Sequence, residues 1–224
     1  MADTHKPSTS REAMRIFKSD FLEFFTHIHP GMVLAIWVPI IGIFLYLSGV
    51  NALPGVFPWY AIAGYVLGIG IWTLAEYVLH RWLFHYHAKS EAGKRITFIF
   101  HGVHHMQPMV KTRLVMPPMV SLPLGALFFG LYYLVFDLIL NAPHWLYPTF
   151  AGFATGYLAY DMIHYSVHHF NLKGRFFKWV RKHHMEHHVQ TPDERFGVTS
   201  PTWDYVFHTE PSKTPKKEKE QADS

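Results

Sequence analysis

The sequence contains no cysteine in its 224 residues, which excludes disulfides, iron–sulfur clusters, thiolate zinc sites, c-type haem attachment and cysteine nucleophiles. Charged residues are also scarce, because Asp, Glu, Lys and Arg make up 16% of the chain, against about 25% in ordinary soluble domains. Half of the residues are hydrophobic, which excludes a chain that is disordered throughout. This deficit of charge favours a membrane protein.

Four apolar stretches have about the 20 residues that a helix needs to cross some 30 Å of hydrocarbon. Short linkers at 51–56 and 141–145, which contain helix-breaking Asn and Pro, join these stretches in pairs. The sequence therefore predicts an all-α integral membrane protein with four transmembrane helices in two hairpins, over approximately 32–50, 57–79, 119–140 and 146–163.

The positive charges indicate the orientation of this multi-pass protein. All 20 Lys and Arg residues lie before the first stretch, between the second and third, or after the fourth. Because four crossings return the chain to its starting side, these residues share one face, which the positive-inside rule makes cytoplasmic. We expect both termini on that side, and no nucleic-acid binding, since topology explains the net charge of +4.

Three regions are expected along the chain. In residues 1–31, Met14, Phe17, Phe21 and Phe24 recur at helical spacing, which indicates an interfacial amphipathic helix or, equally, a short packed helix. Residues 32–210 form the membrane domain with its cytoplasmic cap. Residues 211–224 are charged and almost free of apolar side chains, so we expect a disordered tail.

Histidine is unusually abundant, with 18 copies. Thirteen lie on the predicted cytoplasmic side in four clusters, whereas His5, His27, His29, His144 and His208 show no pattern and receive no ligand role. Separations of three and four residues place rings on one face of a helix. Residues five apart diverge by roughly 140° on a regular helix, which predicts a helix end or distortion at the first cluster. The clusters are His80, His85 and His87; His101, His104 and His105; His164, His168 and His169; and His183, His184, His187 and His188.

Ten of the clustered histidines have these spacings, and the four clusters contribute two, three, two and three of them in chain order. One ion rarely uses more than six ligands, so ten histidines require two ions, each with about five nitrogens and one open position. Imidazole suits Fe, Zn, Cu and Ni, and an open position favours a redox site that activates dioxygen. A structural tetrahedral zinc ion needs only four ligands.

Several stretches between and around the histidines are distinctive: EYVLHRWLFH (76–85), HGVHHMQP (101–108), RLVMPP (113–118), GYLAYDMIHYSVHH (156–169), HHMEHH (183–188) and GVTSPTWDYVF (197–207). Over approximately 70–207 the chain resembles the fatty acid 2-hydroxylases of the membrane fatty acid hydroxylase superfamily. The resemblance implies that Tyr157, Tyr160 and Asp161 match a Tyr-x-x-Tyr-Asp segment of the active site. It also implies ten dimetal ligands: His80, His85, His101, His104, His105, His164, His168, His184, His187 and His188.

The resemblance further implies a dioxygen-dependent hydroxylase that acts at C2 of an acyl chain, in a sphingolipid or in a free or esterified fatty acid. The two ions are expected to be iron, with zinc possible in purified protein. Many eukaryotic members carry a fused cytochrome b5-type domain, for which 31 residues are too few. We therefore expect a separate electron donor, either cytochrome b5-like or a ferredoxin with its reductase.

Two alternatives stay open, and the carboxylates around the histidines also need a role. A sterol or carotenoid hydroxylase or desaturase of the same superfamily would use similar histidine boxes. A histidine-rich metal-binding or transport protein is less favoured, because transport needs polar residues near the bilayer centre.

Ligand imidazoles normally donate their second N–H to a carboxylate or carbonyl, and the candidate carboxylates are Glu76, Asp161, Glu186 and Asp204.

Overall fold

The computed structural model describes residue 8 and residues 10–211, and this part of the chain contains helices and no β-strand. The predicted disorder of the tail concerns residues that lie, apart from Pro211, outside the described part. Three π-helical segments, Leu79–Phe84, Phe98–Gly102 and Leu134–Ile139, interrupt or extend the α-helices. The α-helices are α1 (Asp20–Phe24), α2 (Pro30–Val50), α3 (Trp59–Val78), α4 (Glu91–Thr97), α5 (Val103–Met106), α6 (Pro118–Tyr133), α7 (Leu146–His169), α8 (Arg175–Val189) and α9 (Thr202–Val206).

Three helical stretches in the described residues are long and apolar enough to cross a membrane: Pro30–Val50, Trp59–Phe84 and Lys111–Ile139. Large apolar side chains on these stretches point away from the protein, among them Val38, Ile62 and Leu127, which are 54%, 62% and 59% exposed. A lipid environment satisfies such surfaces, whereas water does not. The all-α prediction and the prediction of an integral membrane protein are confirmed.

Helix α7 is the fourth long helix, with 24 residues, and it contains the predicted fourth span. It packs centrally against α2, α3 and α6, and most of its residues are buried. Because neighbouring helices cover it, α7 accommodates buried polar groups such as Thr149 and Asp161 and is less apolar than the three lipid-exposed stretches. The count of four membrane crossings therefore stays a prediction.

Glycines bring α3 and α7 into backbone contact. A Cβ atom added at Gly68 would lie 1.9 Å from the carbonyl oxygen of Thr149, and one added at Gly152 would lie 1.9 Å from that of Tyr65. Small residues at helix interfaces allow such close approach in membrane proteins. This contact fixes side by side the C-terminal ends of the two helical stretches, which carry His80 and His164.

Among residues 10–29, which the structure describes, the N-terminal segment contains one short helix. Helix α1 spans five residues and is capped by the side chain of Ser19, while Met14 and Phe17 precede it in irregular chain. Phe21 and Phe24, both on α1, are each 71% exposed. His29 caps the start of α2, because its Nδ1 accepts a hydrogen bond from the N–H of Gly31 at 3.0 Å. An interfacial location of this segment stays a prediction.

Candidate metal centre

The spacing of five between His80 and His85 is accommodated by a π-helical segment. The N–H of His85 donates to the carbonyl of His80 at 3.0 Å, which is the i to i+5 pattern of a π-helix. With this wider turn, residues five apart come to the same face. The predicted distortion of the helix at this cluster is confirmed, and a second π-helical segment at Phe98–Gly102 carries His101.

The structure brings the ten predicted ligands together in two sets of five. Within each set, one nitrogen of every ring lies within 4.8 Å of the corresponding nitrogens of the others. Eight of the ten rings are buried, while His85 and His105 are half-buried. The first histidine group consists of His80, His85, His101, His105 and His187, and the second histidine group of His104, His164, His168, His184 and His188.

The rings converge through their Nε2 atoms at distances suited to a single ion. In the first group, Nε2 of His101 lies 3.0 Å from that of His80 and 2.9 Å from that of His105. In the second group, Nε2 of His184 lies 2.9 Å from that of His168 and 3.0 Å from that of His188. Two nitrogens bound at right angles to one metal at about 2.1 Å are separated by about 3.0 Å. The observed spacing therefore fits five imidazole nitrogens around an ion with one position open.

Each H-x-x-H-H triplet contributes to both groups. His101 and His105 belong to the first group and His104 to the second, while His184 and His188 belong to the second and His187 to the first. On a helix with about 100° per residue, positions i and i+4 are 40° apart, and position i+3 lies 60° to the other side of i. The same geometry therefore directs the third histidine of each triplet to the neighbouring group.

Two histidines of the first group have their second ring nitrogen fixed by backbone carbonyls. Nδ1 of His80 donates to the carbonyl of Phe196, and Nδ1 of His187 donates to that of Glu194, both at 2.6 Å. A proton on Nδ1 leaves the Nε2 lone pair free for a metal. The four carboxylates considered as acceptors from the sequence do not take this role. Glu76 and Asp204 accept from backbone N–H groups, Asp161 accepts from the N–H of Met116, and Glu186 forms an ion pair with Arg195 at 3.3 Å.

The histidines are held in the neutral form. Burial, followed by the nearby imidazoles, holds the pKa of His104, His184 and His188 well below its ordinary value of 6.5. Burial and the proximity of His80 lower the pKa of His187 to about 3, against the opposing effect of the Glu194 carbonyl. Neutral imidazoles are the form that binds metals, so the residues present fit two ions.

An apolar cavity of about 250 Å³ adjoins both histidine groups. His101 of the first group and His104 and His164 of the second group line it. Its other walls come from the N-terminal segment, from the cap and from the stretch before α6. These lining residues include Ile16, Phe17, Leu22, Phe25, Phe84, Ile99, Phe100, Val103, Leu114, Val115, Met116, Met119 and Val120.

The predicted catalytic residues lie on the α7 turns that precede His164. Tyr160 and Asp161 line the cavity, and the Tyr160 ring stacks on that of His164 with centroids 5.6 Å apart. Asp161 accepts hydrogen bonds from the N–H of Met116 at 3.1 Å and from the hydroxyl of Tyr157 at 3.3 Å. Tyr157 itself lines a separate small pocket beside Trp37 and Trp72, so only Tyr160 and Asp161 border the cavity directly.

A family comparison agrees with this arrangement. The profile described as fatty acid hydroxylase matches residues 65–209, which include all ten clustered histidines. The chain belongs to the fatty acid hydroxylase family. The sequence-based resemblance and the prediction of an oxidoreductase are thereby confirmed.

Similar members of the fatty acid hydroxylase family come from plants, fungi and animals. The chain is 37% identical to a dihydroceramide fatty acyl 2-hydroxylase of Arabidopsis thaliana, over 96% of this chain and 87% of the relative. It is 36% identical to a ceramide very long chain fatty acid hydroxylase of Saccharomyces cerevisiae, over 92% of this chain and 52% of the relative. It is 34% identical to human fatty acid 2-hydroxylase, over 92% of this chain and 58% of the relative.

A solved structure extends the similarity to the fold of this hydroxylase. The structure of full-length scs7p, in which only the hydroxylase domain is visible, superposes with a TM-score of 0.78 at 36% identity, covering 88% of this chain and 72% of that chain.

Two features of the hydroxylase around the site were not anticipated from the sequence. Arg113 forms an ion pair with Glu23 and binds the carbonyl of Met14, which ties residues 14–27, here called the N-terminal strap, to the cavity. His183 is buried between Asp204 and Glu210, with ring nitrogens 3.5 and 3.6 Å from their carboxylate oxygens. Its neighbour His184 belongs to the second group. Adjacent residues on a helix point about 100° away from each other, so His183 faces away from the histidine groups.

Proposed function

We propose that this protein hydroxylates the acyl chain of a membrane lipid at C2, with the acyl chain of a sphingolipid or a free or esterified fatty acid as substrate. The observation that carries the proposal is an apolar cavity that is bordered by histidines of both groups. An acyl chain in this cavity would lie against both proposed metal positions. The names of the plant and yeast relatives, which hydroxylate dihydroceramide and ceramide acyl chains, support a sphingolipid.

The ten clustered histidines are proposed as the ligands of two iron ions, which zinc can replace during purification. When bound, the ions would supply the activation of dioxygen for insertion of one oxygen atom into a C–H bond. The protein contributes neutral imidazoles whose Nε2 atoms converge, and an apolar cavity that keeps water away from the reacting carbon. The distances of about 3 Å between neighbouring Nε2 atoms support this ligand set.

Tyr160 and Asp161 are proposed to border the reacting end of the acyl chain, and Tyr157 to act on them indirectly. Asp161 is fixed by the Met116 N–H and the Tyr157 hydroxyl, so its carboxylate keeps one orientation at the edge of the cavity. Tyr160 covers one face of His164. Both residues are thus in place to position the substrate relative to the second histidine group.

Hydroxylation with dioxygen consumes two electrons and two protons and releases water with the hydroxylated lipid. We propose that a separate protein, cytochrome b5-like or a ferredoxin with its reductase, supplies these electrons. The proposed orientation places the metal centre and both termini in the cytoplasm, with α7 as the fourth crossing. It is supported by the absence of Lys and Arg from the linkers at 51–56 and 141–145, because such residues are enriched in cytoplasmic segments. A reporter attached after residue 224 should be cytoplasmic, and one inserted at residue 53 should be external.

The decisive experiment is reconstitution of the purified protein with iron, a reductase system and lipid vesicles that contain ceramide. We expect a ceramide product heavier by one oxygen atom, located at C2 by fragmentation and derived from labelled dioxygen. A desaturated product, or turnover of sterols or carotenoids alone, would assign the protein to another branch of the superfamily.

The matched controls come from one loop. His85→Ala removes a proposed ligand and should abolish turnover. His87→Ala, two residues away, alters a side chain that is 86% exposed and should leave turnover unchanged.

A further inference from the structure

Residues 196–199, here called the clamped loop, are held by two buried carboxylates from other parts of the chain. Asp204 accepts from the N–H groups of Phe196 and Gly197 at 2.7 and 2.8 Å. Glu76, on α3, accepts from the N–H groups of Val198 and Thr199 at 2.6 and 2.8 Å, and from the hydroxyl of Thr199 at 2.5 Å. Four consecutive backbone N–H groups therefore point at two buried carboxylates, of which Glu76 is 4% and Asp204 is 0% exposed.

Two backbone carbonyls, one in the clamped loop and one shortly before it, accept hydrogen bonds from histidines of the first group. The carbonyl of Phe196 receives Nδ1–H of His80, and the carbonyl of Glu194, two residues earlier, receives Nδ1–H of His187. A ring is oriented, and its tautomer is chosen, by what its second nitrogen binds. The position of this stretch thus decides where two Nε2 atoms of the first group point.

The backbone of the clamped loop lies close to the Asp204 carboxylate at Gly197. A Cβ atom on Gly197 would lie 2.0 Å from the carbonyl oxygen of Ser200 and 2.8 Å from Oδ2 of Asp204, so the chain passes where only glycine fits. Asp204 also accepts from the hydroxyl of Thr209, whose carbonyl receives the N–H of Arg195. This second path connects Asp204 to the backbone between the two histidine acceptors.

We propose that Glu76 and Asp204 are positioning residues of the first histidine group, acting through the clamped loop on His80 and His187. Removal of the Glu76 carboxylate weakens metal binding at the first group and spares the second group, whose five histidines lie on α5, α7 and α8. The inference rests on the proposed function in one respect, that each group binds an ion.

The two carboxylates differ in what can replace them. Gln at position 76 keeps one oxygen for the N–H groups of Val198 and Thr199, and its amide can donate to the Thr199 hydroxyl, which is able to rotate. Asn at position 204 has only one oxygen, although each carboxylate oxygen faces a backbone N–H. Glu76→Gln should therefore restore the site, whereas Asp204→Asn should not.

The test measures zinc binding to the full-length protein in detergent, after removal of metal, by competition with a chromophoric chelator. The protein should bind two zinc ions per chain. Glu76→Ala should lose about 10- to 100-fold in affinity at one of them, while Glu76→Gln should stay within about threefold of the parent at both. The control is Glu91→Ala on α4, which removes a carboxylate that is 88% exposed and should not change either affinity.

A second, milder variant covers the case in which Glu76→Ala does not fold. Thr199→Val removes only the hydroxyl donor to Glu76 and should weaken one of the two zinc sites, with the other unchanged. Adding His168→Ala, which removes a ligand of the second group, to either variant should weaken the zinc site that is left.

Two outcomes would decide against the inference, and a third would decide against the proposed function. Two unchanged zinc affinities in Glu76→Ala, or in Thr199→Val where Glu76→Ala does not fold, would show that the clamp has no effect on the metal. Equal loss at both sites, without rescue by Glu76→Gln, would show a general structural role. If the parent protein itself binds no zinc or iron, the proposed function fails instead.

Discussion

Removal of the Glu23 carboxylate is expected to release the N-terminal strap from the cavity. Glu23 forms an ion pair with Arg113, and it accepts from the N–H groups of Ile16 and Phe17 at 3.0 and 2.8 Å. The side chains of Arg113 and Glu23 are 4% and 14% exposed. Burial by itself raises the pKa of Glu23, but the Phe17 and Ile16 N–H groups and Arg113 together hold it below its ordinary value, so the carboxylate is charged at neutral pH.

The size of the effect follows from what Glu23→Ala leaves behind. Removing one partner of a fully buried ion pair costs about 3 to 5 kcal/mol, because the other charge stays buried without compensation; the pair of Arg113 and Glu23 is partly buried. Two N–H groups also lose their acceptor. Detachment of the strap relieves these costs by exposing Arg113 to water, so we take the lower value. About 3 kcal/mol corresponds to an increase of roughly 100-fold in the population of detached strap.

Limited trypsin digestion measures this population, because Arg15 and Lys18 lie within the strap. Cleavage there should accelerate by about 100-fold in Glu23→Ala if opening is fast relative to cleavage. The Michaelis constant for the lipid should rise as well, since Phe17, Leu22 and Phe25 line the cavity. The control variant is Asp20→Ala, which removes a side chain that is 92% exposed. Its cleavage rate should stay within about threefold of the parent rate. A strap in Glu23→Ala that is cleaved at the parent rate would refute the reasoning.

Three further predictions concern the metal centre and its support. His187→Ala and His104→Ala should each abolish turnover and lower metal content, because each removes a donor from a different group; full metal content in either variant, measured by elemental analysis, would contradict the ligand assignment. Acidification should release metal and destabilise the fold: the pKa of His187 is lowered to about 3, so its contribution to stability is complete above the ordinary value of 6.5 and is lost as the pH falls from there towards 3. Chemical unfolding and metal content measured between pH 7.5 and 4.5 check this, and stability independent of pH would count against it. Gly152→Ala should destabilise the protein by about 1 to 3 kcal/mol, because its Cβ would meet the Tyr65 carbonyl at 1.9 Å; Gly42→Ala, at a site with nothing within 4 Å, is the control in thermal unfolding.

The helices and the clustering of the histidines could be predicted because both depend on local patterns. Apolar length identifies the membrane-spanning stretches, and spacings of three and four identify residues on one helix face. A helix end or distortion at the first cluster could also be anticipated, because His80 and His85 cannot share a face on a regular helix; its form, a π-helical segment at Leu79–Phe84, is known only from the structure. These inferences need only the geometry of one helix at a time.

The remaining features depend on contacts between distant parts of the chain. Glu76 and Val198 are 122 positions apart, and Arg113 and Glu23 are 90 apart, so no local pattern pairs them. The sequence suggested four carboxylates as candidate partners of the ligand imidazoles, yet His80 and His187 donate to backbone carbonyls, which leave no trace in residue identity. Likewise, α7 is buried because other helices pack around it. Its polar residues make its sequence less apolar than that of a lipid-exposed span.

The division of each H-x-x-H-H triplet between the two groups makes the two proposed metal positions interdependent. The stretch that carries His101, His104 and His105 gives two rings to the first group and one to the second, and α8 gives two to the second and one to the first. The rings of His105 and His188, one from each group, stack with centroids 4.2 Å apart. Because a helix is rigid over one turn, the separation of the two groups is determined by the same backbone that shapes each of them. A shift of either helix therefore changes both groups and the distance between them, whereas the contacts of Phe196 and Glu194 with Nδ1 of His80 and His187 act on the orientation of two rings of the first group.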